Sequence, residues 1–464
     1  MNSEKPLYYF REISKIPRVS RHCERIADYL VSFAKSRGLW CRRDASNNVI
    51  IVKDAAAGRE NDPAVMLQGH VDMVGEKTAD STHDFLRDPI TIIEDGDTMR
   101  ADGTTLGADN GAAVAIMLAL LDEKELDAPR LECVFTTDEE IGMLGAVDIS
   151  LEGMQAAYMI NADSEDDGVF TCGCCGGASL DFDIPVERDC AAYKGGIKVT
   201  LSGLRGGHSG AEIHTGRLNA VKLTAELLEP QYGIVSMERD GKDNAIPDRC
   251  EATVLSGADE IKKAFLEKSV AWKKAEPGIT LTIEEADNCG APLSYDSAKK
   301  VLSFLRAIPY GVQKMCTEPA GLVHTSDNIG ILLTNDTSVT GTISVRSVSE
   351  ADRDALCGCI TDLCKEAGGS TRIHGQYPGW EYKKDSKLRE VMCNTWKEMF
   401  GRAPTVDVIH AGLECGVLLS KKPDLDIVSI GPQLNGIHTP AETMSISSLK
   451  KCTDFIVRVL EVLK

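Results

Sequence analysis

Between about residues 5 and 180, short apolar runs alternate with amphipathic helical stretches, a pattern that commits this part of the chain to helices layered on a sheet. The runs NNVIIVKD, PAVMLQGH, LECVFTTDEE and AAYMINAD read as strands. Several are apolar throughout, as central strands covered on both faces are. PLYYFREISKI and RHCERIADYLVSFAKSRGL read as helices, and so does DNGAAVAIMLALLDEKEL, apolar on one side with acids and a lysine at its end. Near residue 185 the pattern changes. KGGIKVTLSGLRGG, DRCEATVLS, GITLTIEEA and SVTGTISVRS alternate polar and apolar residues like half-exposed antiparallel strands, interleaved with two helical stretches, GRLNAVKLTAELLE and DSAKKVLSFLRAI. After about residue 375 the first pattern returns, with KLREVMCNTWKEMF as a helix, LDIVSIGP as a strand and SISSLKKCTDFIVRVLEVL as a closing helix. A chain of 464 residues exceeds what one hydrophobic core serves. The expectation is an α/β fold: a discontinuous domain of residues 1–185 and 375–464, with a mixed sheet flanked by helices, split by an inserted α+β domain at 186–374.

The net charge of −20 repels phosphate backbones and anionic lipid, so neither nucleic acid nor a membrane is expected as a partner. No apolar run reaches membrane-spanning length and the start has no basic segment leading into an apolar one, which points to a cytoplasmic protein. The 16 cysteines are scattered, as reduced thiols are. Cys172, Cys174 and Cys175, in TCGCCGG, lack the paired CxxC spacing of a structural zinc site and are expected to be buried or loop thiols.

In open α/β sheets ligands bind beyond the carboxyl ends of the strands. Four expected strands deliver candidate metal ligands there: His70 and Asp72, Glu139 and Glu140, Asp163, and, through a short loop, His438. Asp109, in LGADNG, stands at the start of a helix, where glycines permit a tight turn. Histidine and carboxylate together are the donor set of zinc and related hydrolytic ions. Singly, each has a plainer reading. His70 is one of nine histidines, Asp109 alone serves as a helix N-cap, and Asp138, Glu139 and Glu140, or Asp163 with SEDD behind it, read equally as solvated acids.

The motifs LQGHVDMV, TTLGADNG, TTDEEIGMLGA, NADSED, LSGLRGGHSG, KDNAIP, IHAGLECG and GPQLNGIHTP, in this order, resemble those of the zinc-dependent aminoacylase and dipeptidase superfamily. They are most similar to its aminoacyl-histidine dipeptidase branch, also called peptidase D or carnosinase-like; HDFLRDPI and YPGW fit that branch too. The resemblance runs from about residue 5 to the C-terminus. It implies a zinc-peptidase catalytic domain carrying an inserted lid and dimerisation domain. It also implies two divalent ions per subunit, zinc in the first place and cobalt or manganese as alternatives. Asp109 would bridge the two, with His70 and Asp163 completing one site and Glu140 and His438 the other. Asp72 would orient His70, and Glu139 would be the general base for the attacking water.

For the substrate, the resemblance implies His208 as a donor to the developing oxyanion, acting from the partner subunit if the chain forms a homodimer through the inserted domain. Arg346 would be the fork for a free C-terminal carboxylate, with Asn244 as a polar partner. His410 and Glu414 would be substrate or supporting contacts. In EPAGLVHTSDNIG, His324, Asp327 and Asn328 include departures from the commonest pattern, which leaves side-chain preference open. The implied activity is hydrolysis of unblocked dipeptides of the Xaa-His type or more broadly. The alternatives are an aminotripeptidase, a carboxypeptidase or an N-acyl amino acid deacylase of the same superfamily, and, from another class, a peptide-binding protein without catalysis. Retention of Glu139 and all five ligands speaks against the last.

Overall fold

The computed structural model describes residues 4–189, 193–317 and 321–464. The chain divides into two compact units, Met1–Gly173 with Tyr382–Val408 and Leu413–Lys464, and Cys174–Glu381 with Ile409–Gly412. The second unit opens on the strand Gly176–Pro185, upstream of the change in pattern at residue 185, because that strand pairs with Ser338–Ser347 and Ser370–Tyr377 of its own unit.

The first unit is built on an eight-stranded mixed sheet in the order Trp40–Arg43, Val49–Lys53, Leu131–Thr136, Val65–His70, Tyr158–Asn161, Asp426–Ser429, Val169–Cys174 and Thr405–Ile409. Its central four strands, from Leu131–Thr136 to Asp426–Ser429, run parallel, so their carboxyl ends emerge on one side. These strands are buried from end to end, which explains why they read as unbroken apolar runs. The helix Ala108–Leu121 packs on the Val65–His70 strand and against the helices Lys5–Ile13 and Ile446–Val462. Contrary to the one-sided reading, it is apolar all round. Every residue of it is buried except Asp109, and the acids of DEKEL fall beyond its end, as sandwiching between sheet and helices demands. A Cβ on Gly69 would lie 2.4 Å from Asn110 Oδ1 and 2.6 Å from the Ala113 Cβ, so only glycine admits this helix so close to the His70 strand. A smaller sheet, Leu434–Asn435, Thr443–Ser445, Thr98–Ala101 and Ile92–Asp95, frames the loop that carries His438.

Besides the short ribbon of Gly207–His208 and Ala245–Ile246, the described residues of the second unit form two larger antiparallel sheets. One runs Gly311–Met315, Val323–Thr334, Ser338–Ser347, Gly176–Pro185, Ser370–Tyr377; the other runs Ile234–Glu238, Cys250–Val254, Tyr193–Ser202, Thr280–Gly290. Beside the expected helices, observed at Ala220–Leu227 and Tyr295–Ala307, stand two that the sequence reading did not separate, Ala258–Ala275 and Glu350–Glu366. The first buries only Ile261, Ser269 and Trp272, and the second buries Arg353, Cys357, Ile360 and Cys364. Neither stripe looks apolar in the sequence. Of the segment EPAGLVHTSDNIG, residues 318–320 lie outside the described residues.

Candidate active site

The first unit gathers its candidate ligands at the carboxyl edge of the parallel strands. His70 is the last residue of its strand, Glu139 and Glu140 follow Leu131–Thr136, and Asp163 follows Tyr158–Asn161. Gly107 takes φ +69°, a left-handed conformation open to glycine. It starts the helix in name only: Asp109 and Asn110 depart from helical geometry, and the Asp109–Asn110 bond is cis. Because its backbone leaves helical geometry, the Asp109 side chain enters the edge.

Its two oxygens face two different groups. Oδ1 lies 3.1 Å from His70 Nε2, which is 3.4 Å from Asp163 Oδ1. Oδ2 lies 3.1 Å from His438 Nε2, which is 2.9 Å from Glu140 Oε2. One carboxylate thus joins two sets of three donors. The remaining oxygen of Glu140 is buried without a partner. His70 makes this a candidate cation site: its Nδ1 faces the Asp72 carbonyl at 3.1 Å and the Asp72 carboxylate at 3.4 Å, while Nε2 faces only carboxylates. A neutral imidazole has one donor and one acceptor nitrogen, so once Nδ1–H serves Asp72 the Nε2 lone pair meets carboxylate lone pairs. Either a second ring proton, which the surrounding carboxylates favour, or a metal ion would resolve that conflict, and His70, Asp109 and Glu140 alone already offer donors all within 4.8 Å of one another. The protonation balance tells the same story. Burial, reinforced by the charges of Asp109 and Glu140 and opposed by His70, raises Asp163 to about 6. Hydrogen bonds to Asp109 and Glu140 raise His438 to about 10.

Asp72 ties the edge together. Besides His70, its carboxylate accepts from Ser20 Oγ (2.9 Å) and from the backbone N–H groups of Glu139 (3.1 Å) and Glu140 (3.3 Å), fixing both glutamates in place. Burial first, then the charges of Asp163, Glu414 and Glu140, against the pull of His70, push the Glu139 carboxyl well above the usual range. Beneath it a belt of buried side chains crosses the sheet: Ser429 to Asn161, Asn161 to Gln68 (2.6 Å), Gln68 to Thr136 (3.1 Å), and Thr136 to Glu414 (2.7 Å). Glu414 is wholly buried, and burial before all else lifts it to about 7.

The second unit brings together His208, Asn244, Arg346 and His410. A two-stranded ribbon sets His208 opposite Ala245, and Ser209 N donates to Asn244 O (2.8 Å). The backbone N–H groups of Gly210 and Ala211 donate to His208 Nδ1 (3.2 and 3.0 Å), so the ring proton sits on Nε2. Burial and then the field of Arg346 lower His208 to about 4, which makes it a neutral donor at pH 7. The same two influences lower His410 to about 3; its Nε2 meets Ser326 Oγ at 2.7 Å. Arg346 stands in a row across the sheet with Ser326 and Gly177 as its neighbours and Tyr377 beyond Gly177. Its Nη1 donates to the Tyr377 hydroxyl (3.2 Å) while its buried Nε has no partner. Asp327 faces the other way: one carboxylate oxygen accepts from Gln313, and burial raises it to about 7. Asn328 braces the ribbon by donating to Ala245 O (2.9 Å).

A model described as peptidase family M20/M25/M40 matches residues 66–462. The chain belongs to this family. Among curated relatives, this M20 peptidase is 37% identical to the cytosol non-specific dipeptidase of Escherichia coli (strain K12), over 96% of this chain and 95% of the relative. Among solved structures it is similar to the aminoacylhistidine dipeptidase from Vibrio alginolyticus, with a TM-score of 0.91 and 34% identity, covering 100% of this chain and 97% of the other. The aminopeptidase PepT from Bacillus cereus ATCC 10987 shares the fold alone, at TM-score 0.63 and 16% identity, over 99% of this chain and 98% of the other.

Several supporting residues of this peptidase escape a sequence reading. Arg18, Gln68, Asn161, Ser326 and Glu442 sit in apolar or turn-like surroundings and acquire partners only through the fold. Glu442 carries a faint signal, being four residues after His438. Cys172, Cys174 and Cys175 are buried cysteines, as expected. No helix among the described residues is long and apolar enough to cross a membrane.

Proposed function

We propose that this M20 peptidase hydrolyses unblocked dipeptides with the help of two divalent metal ions. The observation that carries the reading is the pair of donor sets, His70 with Asp163 and His438 with Glu140, sharing the two oxygens of Asp109. Nitrogen and carboxylate donors in threes suit zinc first, and cobalt or manganese as substitutes. The dipeptide assignment draws on the relatives from Escherichia coli and Vibrio alginolyticus; their differing names leave the side-chain range broad, with Xaa-His included.

When bound, the two ions lower the pKa of a shared water and polarise the scissile carbonyl. Glu139, held at its backbone by Asp72, takes the proton of the attacking water and passes it to the leaving amine. Asp72 holds the tautomer of His70. In the homodimer the partner subunit's His208 donates its Nε2–H to the carbonyl oxygen as negative charge develops there. Arg346, a buried cation with an unpartnered Nε, receives the C-terminal carboxylate, with Asn244 and His410 as polar neighbours. Glu414, buried under the sheet edge, supports Glu139 and does not touch substrate. The enzyme works in the cytoplasm as a homodimer formed through the second unit, whose helix Ala258–Ala275 exposes Leu266 and Val270.

A substrate panel tests the reading. Ala-His, β-Ala-His and Gly-Gly should be cleaved with zinc, manganese or cobalt present, and N-acetyl amino acids and tripeptides should be poor. Inert dipeptides beside rapid deacylation would reassign the activity. His208→Ala should lower kcat about 10²–10³-fold, the cost of one oxyanion donor, measured by steady-state kinetics on Ala-His. Arg346→Met should cost about 1.5–3 kcal/mol, or roughly ten- to hundredfold in kcat/KM. It should also erase the preference for a dipeptide over its C-terminal amide; a preserved preference would place the carboxylate elsewhere.

A further inference from the structure

Two oppositely charged side chains lie buried beside the metal edge without contributing to either donor set. Glu442 is 2% exposed. Its carboxylate accepts four consecutive backbone N–H groups: Leu106 (2.7 Å) and Gly107 (3.0 Å) on Oε2, Ala108 (2.7 Å) and Asp109 (3.2 Å) on Oε1. Such a run of amides forms a concave anion seat. From the other side Arg18, also 2% exposed, donates to the carbonyl oxygens of Gly107 (2.6 Å), Val71 (2.8 Å) and Asp72 (3.4 Å). The loop that delivers Asp109 is therefore gripped at its N–H groups by an anion and at a carbonyl by a cation, and the cation also holds the chain just after His70. Gly107 fits this grip tightly, since a Cβ there would come within 2.7 Å of Arg18 Nη2 and Met73 Sδ.

Burying charges is expensive, and apolar replacements often serve stability as well or better. A carboxylate spent on four amides of an irregular loop calls for a return other than stability. The return is geometric. Glu442 lies four residues after His438, on the loop between Leu434–Asn435 and Thr443–Ser445, closed by Glu442 N donating to Thr439 O (3.1 Å). One short segment thus carries both His438 and the anchor of Asp109, the two residues whose side chains meet at 3.1 Å.

We infer that Glu442 is a positioning residue, which with Arg18 locks the Asp109 loop against the His438 loop so that Asp109 presents one oxygen to each metal. It rests on the two-metal reading above. Glu442→Gln keeps the size but offers a single acceptor oxygen and turns an NH₂ group toward N–H donors. Glu442→Asp keeps the charge but withdraws it by one methylene, and it carries the test if the glutamine variant does not fold.

The measurement is metal binding by dialysed protein, read as zinc content and competition with a chelator, with the visible spectrum of the cobalt-loaded protein alongside. Wild type should hold two ions. The variants should bind one of them about 10- to 100-fold more weakly, show an altered cobalt spectrum, and recover turnover in excess zinc with KM nearly unchanged. A wild type with two ions and folded variants of equal affinity and spectrum would overturn the role of Glu442 alone. A wild type that takes up no metal would overturn the two-metal reading and this inference with it.

Discussion

Glu139→Gln is expected to keep both metal ions and to lose about 10²–10⁴-fold in kcat, the usual contribution of a positioned general base. Its side chain is not among the close contacts that join the two donor sets; its backbone N–H, which the substitution leaves intact, is what Asp72 holds. The glutamine fits the same space, so folding and metal content should follow wild type. In the bare protein, burial together with Asp163, Glu414 and Glu140 disfavours the Glu139 anion. Cations bound at the neighbouring carboxylates would reverse that field and lower its pKa toward the range a base working at neutral pH requires. Metal analysis and kinetics on one preparation check this. A variant that stays active would move the base role to another carboxylate, with Glu140 and Glu414 the nearest at hand.

The second large effect is expected at Asp109. Each of its oxygens stands 3.1 Å from a different histidine, so Asp109→Ala removes a donor from both sets in one substitution. The variant should lose both ions on dialysis and with them all measurable turnover. Asp163→Ala, which removes a donor from the His70 set alone, should retain the ion at His438 and Glu140. An Asp109→Ala variant that keeps one ion, as Asp163→Ala should, would mean that the sites do not share a ligand.

The candidate ligands were legible because the parallel strands made them so. His70, Glu140 and Asp163 follow apolar runs that mark strand ends in the sequence, and the edge of an open sheet collects whatever those ends carry. From its own surroundings Asp109 was legible as a position only, and the bridging role was implied by the family resemblance. Its role depends on leaving helical geometry behind a left-handed Gly107, which the apolar run after it conceals. The supporting residues were not legible. Arg18 is 53 residues from the Val71 carbonyl and 89 from that of Gly107, and Glu442 is more than 330 from the amides it holds. Pairings of that separation exist only once the sheet is assembled. In the second unit the helices Ala258–Ala275 and Glu350–Glu366 were missed for a different reason: the side chains they bury include serine, arginine and cysteines, so no apolar stripe announces them.

The central claim, two ions bridged by Asp109 that together serve dipeptide hydrolysis, is tested most directly by titrating metal-free protein with zinc while bound metal and cleavage of Ala-His are measured on the same samples. Binding should saturate at two ions per chain, with full turnover reached only as the second is taken up. Saturation at a single ion with full activity, or dipeptide cleavage by the metal-free protein, would contradict it.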